Sequence, residues 1–220
     1  MRYYCIPSHY IEMKFFVGKK LGMTQVFHED GACTPATLVA VPKITITALK
    51  TMEKDGYKAV QVAGGTRKEK NLNKSMLGHF KSKAYSYSRE FRLKNDSDDK
   101  DAEKLNVGDE LSVDVFAKGD ILQISGISKG KGFQGVIKRH GFHGGPRSHG
   151  QKHSERAPGS IGGGLRNRVP KGMKMAGRMG SDTITVKGIE VVSVDVAKEE
   201  ILLKGALPGR KGTLISMKTV

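Results

Sequence analysis

Cysteine is almost missing from this chain of 220 residues: Cys5 and Cys33 stand alone. No disulfide framework can staple the fold, and the usage fits a reducing compartment. No run of 18 apolar residues occurs, so no segment reads as a membrane-spanning helix. The third scarcity, of acidic residues, is local. From Gly126 to Gly180, Glu155 is the one carboxylate beside 12 Lys or Arg. The formal net charge is +16, and most of it therefore sits on a quarter of the chain. The same stretch holds 15 of the 28 glycines. An excess of one sign repels itself in a compact state and points to a polyanionic partner. Nucleic acid is the first candidate and an anionic membrane surface the second.

Outside that stretch the sequence reads as β. "FFVGKK" and "MTQVFHEDG" predict two short strands, the second ending in an Asp30-Gly31 turn. "TPATLVAVP", "ITITALK", "YKAVQVAGG", "VGDELSVDVF" and "DILQISGIS" follow at short intervals. After the basic stretch come "DTITVKG", "IEVVSVDV" and "EILLKGALPG", with "AKEE" as a hairpin link. Short strands at even spacing predict a closed β-barrel, since closure removes exposed edges. Leu72, Met76 and Phe80 have helical spacing and predict a small α-containing subdomain over residues 66–105, with "KNDSDDKDAEK" as a charged loop. Residues 13–65, 106–127 and 182–220 are then the barrel, and 128–181 a long irregular extension. Residues 1–12, "MRYYCIPSHYIE", lack the apolar core of a signal peptide. They predict a disordered extension, with Met13 as the functional start.

The glycine-rich stretch has neither a strand nor a helix period. Its glycines cost backbone entropy, and few apolar residues offset that cost, so alone it should not fold. A compact domain keeps so long an excursion for function. "GKGFQG" at Gly130–Gly135 matches G-x-G-x-x-G, but "VIKRHGFHGGP" allows only a short helical turn after it, too little for a dinucleotide site. No Gly-Lys-Ser/Thr completes a P-loop. His140, His143, His149 and His153 raise the possibility of a metal-dependent enzyme, yet Gly150 stands where a zinc helix wants Glu. No serine lies in a strand-turn-helix elbow. A basic DNA-binding protein is the other rival, but no helix-turn-helix, finger or basic zipper is visible.

RNA fits best. Lys129, Lys131, Lys138, Arg139, Arg147, Lys152, Arg156, Arg166, Arg168, Lys171, Lys174 and Arg178 are spaced to neutralise phosphates from several directions. Phe133, Phe142, His140, His149 and His153 offer faces and ring nitrogens for bases and ribose. Gly130, Gly132, Gly159, Gly162, Gly163 and Gly164 allow the backbone to come close to RNA, and the apex of the excursion is expected near Gly159–Arg168. The plain alternative is a solvated basic loop without a partner.

"KFFVGKKLGMTQVF" from Lys14, "SKGKGFQGVIKRHGF" from Ser128, "APGSIGGG" from Ala157, "KGMKMAGRMG" from Lys171 and "LLKGALPGRKG" from Leu202 resemble the ribosomal protein L3 family of the large subunit, bacterial in type. The resemblance runs from Met13 to Val220 in the expected order. It adds Lys19 and Lys20 to the RNA-binding residues. It implies a β-barrel body, early binding near the 3′ end of 23S rRNA, nucleation of 50S assembly and an extension toward the peptidyl transferase centre. It implies ribosomal proteins L14 and L19 as neighbours in a cytoplasmic or plastid ribosome. It implies no enzyme activity, no cofactor or metal, no membrane and no homo-oligomer. The family pattern has Asp or Asn at the place of Gln123. Some bacterial members carry a methylated glutamine shortly after "GSIG". This chain reads "GGGLRN" there, so that modification does not carry over.

Overall fold

The computed structural model describes residues 14–93, 105–163 and 168–219. The extension at 1–12, Met13, the whole charged loop, Gly164 and Arg166 lie outside the described residues. In chain order the strands are β1 (Phe15–Phe27), β2 (Cys33–Ala40), β3 (Ile44–Lys50), β4 (Ala59–Thr66), β5 (Tyr85–Arg92), β6 (Glu110–Leu111), β7 (Ile121–Ile127), β8 (Gly132–Gln134), β9 (Gly177–Met179), β10 (Thr183–Asp195), β11 (Glu200–Lys204) and β12 (Leu214–Thr219). Among the described residues three short α-helices join them: α1 (Met52–Asp55), α2 (Lys74–His79) and α3 (Val136–His140).

The chain is mainly β, and six strands close a barrel in the order β1-β12-β7-β10-β11-β2, every pair antiparallel. The strands alternate as a barrel requires. In β7, Leu122, Ile124 and Gly126 point inward between more exposed neighbours, and β11 and β12 repeat the pattern with Ile201, Leu203, Ile215 and Met217. At Gly18 of β1 a Cβ would stand 2.6 Å from the Val39 side chain and 2.9 Å from the Ala40 carbonyl of β2.

Two expectations need correction because a bulge resembles a turn in sequence. "FFVGKK" and "MTQVFHEDG" form one strand, β1, whose register shifts between Lys20 and Gly22. Its first part pairs with β12 and the rest with β2. "DTITVKG" and "IEVVSVDV" are likewise one strand, β10, with a shift between Val186 and Ile189 where Gly188 has φ +73°. The extra residues bend each strand around the barrel without ending it.

A second sheet has the order β5-β4-β3-β6, so the strands at Ile44–Lys50 and Ala59–Thr66 stand outside the barrel in which they were expected. Among the described residues, the segment expected to be α-containing is helical over a 3-10 turn at Glu69–Asn71 and over α2, and Met76 is exposed. Tyr85–Arg92 of that segment is β5, because Tyr85, Tyr87 and Phe91 alternate with period two and the strand registers on β4. "VGDELSVDVF" yields two strand residues and a 3-10 turn at Val113–Val115. Conversely, β12 matches no segment singled out from the sequence. One apolar core serves barrel and sheet. Phe15 stacks on Phe91 at 4.8 Å between ring centroids, beside Ile44, Val62, Leu111 and Phe116.

On the outer face of the sheet, Lys50 donates to the Tyr57 hydroxyl at 2.7 Å, and Tyr57 donates to Glu90 at 2.9 Å. Gln61 also donates to Glu90, at 3.3 Å. Burial pushes the Glu90 carboxyl up, but hydrogen bonds from Tyr57, Lys50 and Gln61 and the Lys50 charge outweigh it, so the group is held below its ordinary range.

The chain divides into two compact units. One runs to Ile127 and resumes at Thr183; the other is Ser128–Asp182. The barrel strands that flank the second unit are neighbours, with Ile127 opposite Thr183.

Candidate nucleic-acid interface

The basic unit has an ordered base. Phe133 faces Arg178 across the β8–β9 ladder, and Gly132 faces Met179. Below the ladder Lys131 donates to Met179 at 2.9 Å, and Ser128 donates to Asp182 at 2.9 Å. Gly180 has φ +79°, and a Cβ there would stand 2.1 Å from the Lys129 carbonyl oxygen. Only glycine lets the two arms of the base close. Gly135 after β8 caps the start of α3, a single turn closed by Gly141 at φ +74°. The short turn expected there is present, and it cannot seat a dinucleotide.

Helix α3 ties the outgoing arm of the unit to the returning one. Val136 is its buried residue. Arg139 donates to the Met175 carbonyl at 2.7 Å, and the His140 ring nitrogen lies 3.0 Å from the same oxygen. The guanidinium of Arg139 lies against Gly177, where a Cβ would come within 2.6 Å of it. Arg139 and His140, both read as RNA ligands, thus also hold the chain's own backbone in place. Phe142 is half-buried, its ring 6.0 Å from that of His140.

Lys129, Lys131, Lys138, Arg147, Lys152, Arg156, Arg168, Lys171, Lys174 and Arg178 are exposed, as are His149 and His153. Phe133 is 77% exposed, unusual for an aromatic side chain without a partner. The single carboxylate of the stretch, Glu155, lies 2.7 Å from Arg147. Cation therefore dominates the surface of this unit. Gly159 has φ +80° and Gly132 φ +70°, both with open space where a Cβ would stand. At Gly130 a Cβ would meet the Ser181 hydroxyl at 2.9 Å, so that glycine serves the chain's own packing. At Gly162 a Cβ would have the Arg168 carbonyl at 3.4 Å, ordinary contact, and at Gly163 nothing lies within 4 Å.

The histidine reading fails on geometry. Among the described residues no three His, Cys, Asp or Glu side chains gather, so His140, His143, His149 and His153 form no metal-binding group. The described helices have four to six residues, too short to fill a DNA major groove as a recognition helix does. Lys20, also expected among the RNA-binding residues, turns inward. It is buried, and its ammonium donates to the carbonyls of Leu207 at 2.7 Å and Gly209 at 3.2 Å. Lys19, one residue earlier, is exposed and lines a groove of about 490 Å³ with Lys198 and Tyr87. Burial pushes the Tyr87 phenol up to about 12, which keeps it neutral. Sequence reasoning missed Ile137, Met175 and Gly177, the contacts that shape the basic unit; only the helical turn at Val136–His140 hinted at them.

The family described as ribosomal protein L3 matches residues 94–200. A protein of Thioalkalivibrio sulfidiphilus (strain HL-EbGR7), named large ribosomal subunit protein uL3, is 49% identical over 200 residues, covering 89% of this chain and 92% of its own. One of the same name from Finegoldia magna is 42% identical over 209 residues, covering 94% of this chain and 97% of its own. Another from Bacillus thuringiensis (strain Al Hakam) is 46% identical over 202 residues, covering 92% and 94%.

Proposed function

The chain belongs to the ribosomal protein L3 family, and on that premise we propose that it is a structural constituent of the large ribosomal subunit that binds rRNA through Ser128–Asp182. One observation carries the RNA assignment. Exposed Lys and Arg side chains spread over every part of that unit, while its central carboxylate is already paired within the chain. The unit is an architectural device with no cluster of metal-ligating side chains among its described residues, and the protein is a structural one rather than an enzyme. By the family resemblance, the chain binds early near the 3′ end of 23S rRNA, nucleates 50S assembly and extends Gly159–Arg168 toward the peptidyl transferase centre. Its neighbours are L14 and L19, and its location is the ribosome of the cytoplasm or of a plastid.

The test is a binding titration of the whole chain on large-subunit rRNA at several salt concentrations. With roughly 6–10 phosphates neutralised, affinity should fall on the order of a thousandfold between 50 and 200 mM salt, taking duplex DNA as the guide. A flat response overturns the reading.

A further inference from the structure

The described residues of Phe142–Ala176 form no helix or strand, but one part closes on itself. Gly145 donates to the Glu155 carbonyl at 2.9 Å, so the chain returns to its starting point after ten residues. The crossing is tight. At Gly144, φ is +74° and a Cβ would stand 2.2 Å from the Glu155 carbonyl oxygen and 3.0 Å from Ile137 of α3. At Gly145 a Cβ would come within 2.9 Å of the Ser154 carbonyl oxygen and 3.5 Å of the Gln151 side chain. Two consecutive glycines let the two chain segments touch, and helix α3 backs the contact. At the far end His149 (φ +58°) and Gly150 (φ +80°) turn the chain, with Gln151 donating to Ser148 at 3.4 Å. The closed loop carries Arg147, His149, Lys152 and His153.

The Glu155 side chain completes the crossing. Its carboxylate lies 2.7 Å from Nε of Arg147. The contact runs through Nε, while the Arg147 side chain is 82% exposed, so its terminal nitrogens face solvent. A guanidinium has five donors in a rigid fork, and holding it at Nε aims the other four. We infer that Gly144–Glu155 is a pre-closed RNA-recognition loop and that Glu155 is its positioning residue, orienting Arg147 toward a phosphate. The inference rests on the RNA-binding reading above. It explains why a carboxylate stands in the middle of a surface otherwise built to attract an anion: its charge opposes RNA, but the orientation it imposes favours RNA.

The two effects have opposite signs, so the experiment is direct. Glu155→Ala removes both charge and acceptor; Glu155→Gln removes the charge but keeps an oxygen that can accept from Nε. If Glu155 is merely a nearby negative charge, both variants bind more tightly than the parent and with a steeper salt slope, because Arg147 is released to the phosphates. If Glu155 positions Arg147, Glu155→Ala weakens binding roughly fivefold, the scale of one exposed ion pair. Glu155→Gln then recovers most of that loss, and the salt slopes stay alike. The measurement is a titration of the full chain on intact large-subunit rRNA, with thermal melting to confirm that each variant is folded. An alanine variant that binds as well as the parent, or a glutamine variant as weak as alanine, overturns the inference. A parent chain that does not bind the rRNA overturns the RNA-binding reading instead.

Discussion

Lys20 and Leu207 stand far apart in the chain, yet the Lys20 ammonium lies 2.7 Å from the Leu207 carbonyl oxygen. A buried ammonium is stable there because it meets carbonyls rather than apolar surface. Lys20→Met removes the donor and strands the carbonyls of Leu207 and Gly209. It should lower unfolding stability by about 1–3 kcal/mol, while the folded variant keeps its RNA affinity. Lys19→Ala should do the reverse, leaving the denaturation midpoint in place and weakening binding. Urea unfolding and an RNA titration on each variant check the pair.

Gly180→Ala tests the base of the basic unit. The new Cβ cannot coexist with the Lys129 carbonyl oxygen at 2.1 Å, and the backbone there is left-handed. The β8–β9 ladder should open, seen as faster hydrogen exchange at the Lys131 amide, which donates to Met179. The barrel amides should exchange at their parent rates.

The barrel should fold without the insertion. None of the 22 buried residues of the main core cluster falls between Ser128 and Asp182. Ile127 and Thr183 are paired neighbours, so a short Gly-Ser link replacing residues 129–181 closes them as an ordinary hairpin. A cooperative thermal transition is expected to survive, with RNA affinity lost. Calorimetry showing no transition contradicts this.

Acid should weaken the outer face of the four-stranded sheet through Glu90. Its folded carboxyl is held below the ordinary 4.5, so the unfolded chain takes up the proton more readily. The stabilisation is therefore complete above about pH 4.5 and is lost as pH falls through the lower folded value. Glu90→Gln should be less stable than the parent at neutral pH, with the gap closing under acid. Urea unfolding at a series of pH values reads it; a gap that stays constant excludes Glu90 from the network's stabilising role.

The barrel was legible in the sequence because its strands alternate and are rich in Val, Ile and Thr. What escaped was continuity. At Leu21 and at Lys187-Gly188 a bulge and a turn look alike, since both need an extra residue or a positive φ; only the register with β2 and β7 distinguishes them. Sheet membership escaped for a similar reason: β3 and β4 have the composition of barrel strands, and their partner β5 was masked by the helical spacing of Leu72, Met76 and Phe80. In the basic unit, charge gave away the partner class, but residue type could not separate Lys19 from Lys20, nor show that Arg139 and His140 serve the fold. Those distinctions depend on which carbonyl lies within reach.

The seam between β1 and β7 is filled by β12, the last strand in chain order. During synthesis the other five barrel strands can form only an open sheet, with β1 and β7 as bare edges. The polycationic insertion is finished before β10 begins. The arm that carries the positive charge thus emerges while the body is still unsealed. An early encounter with a polyanion then meets the cationic insertion first and the sealed barrel second.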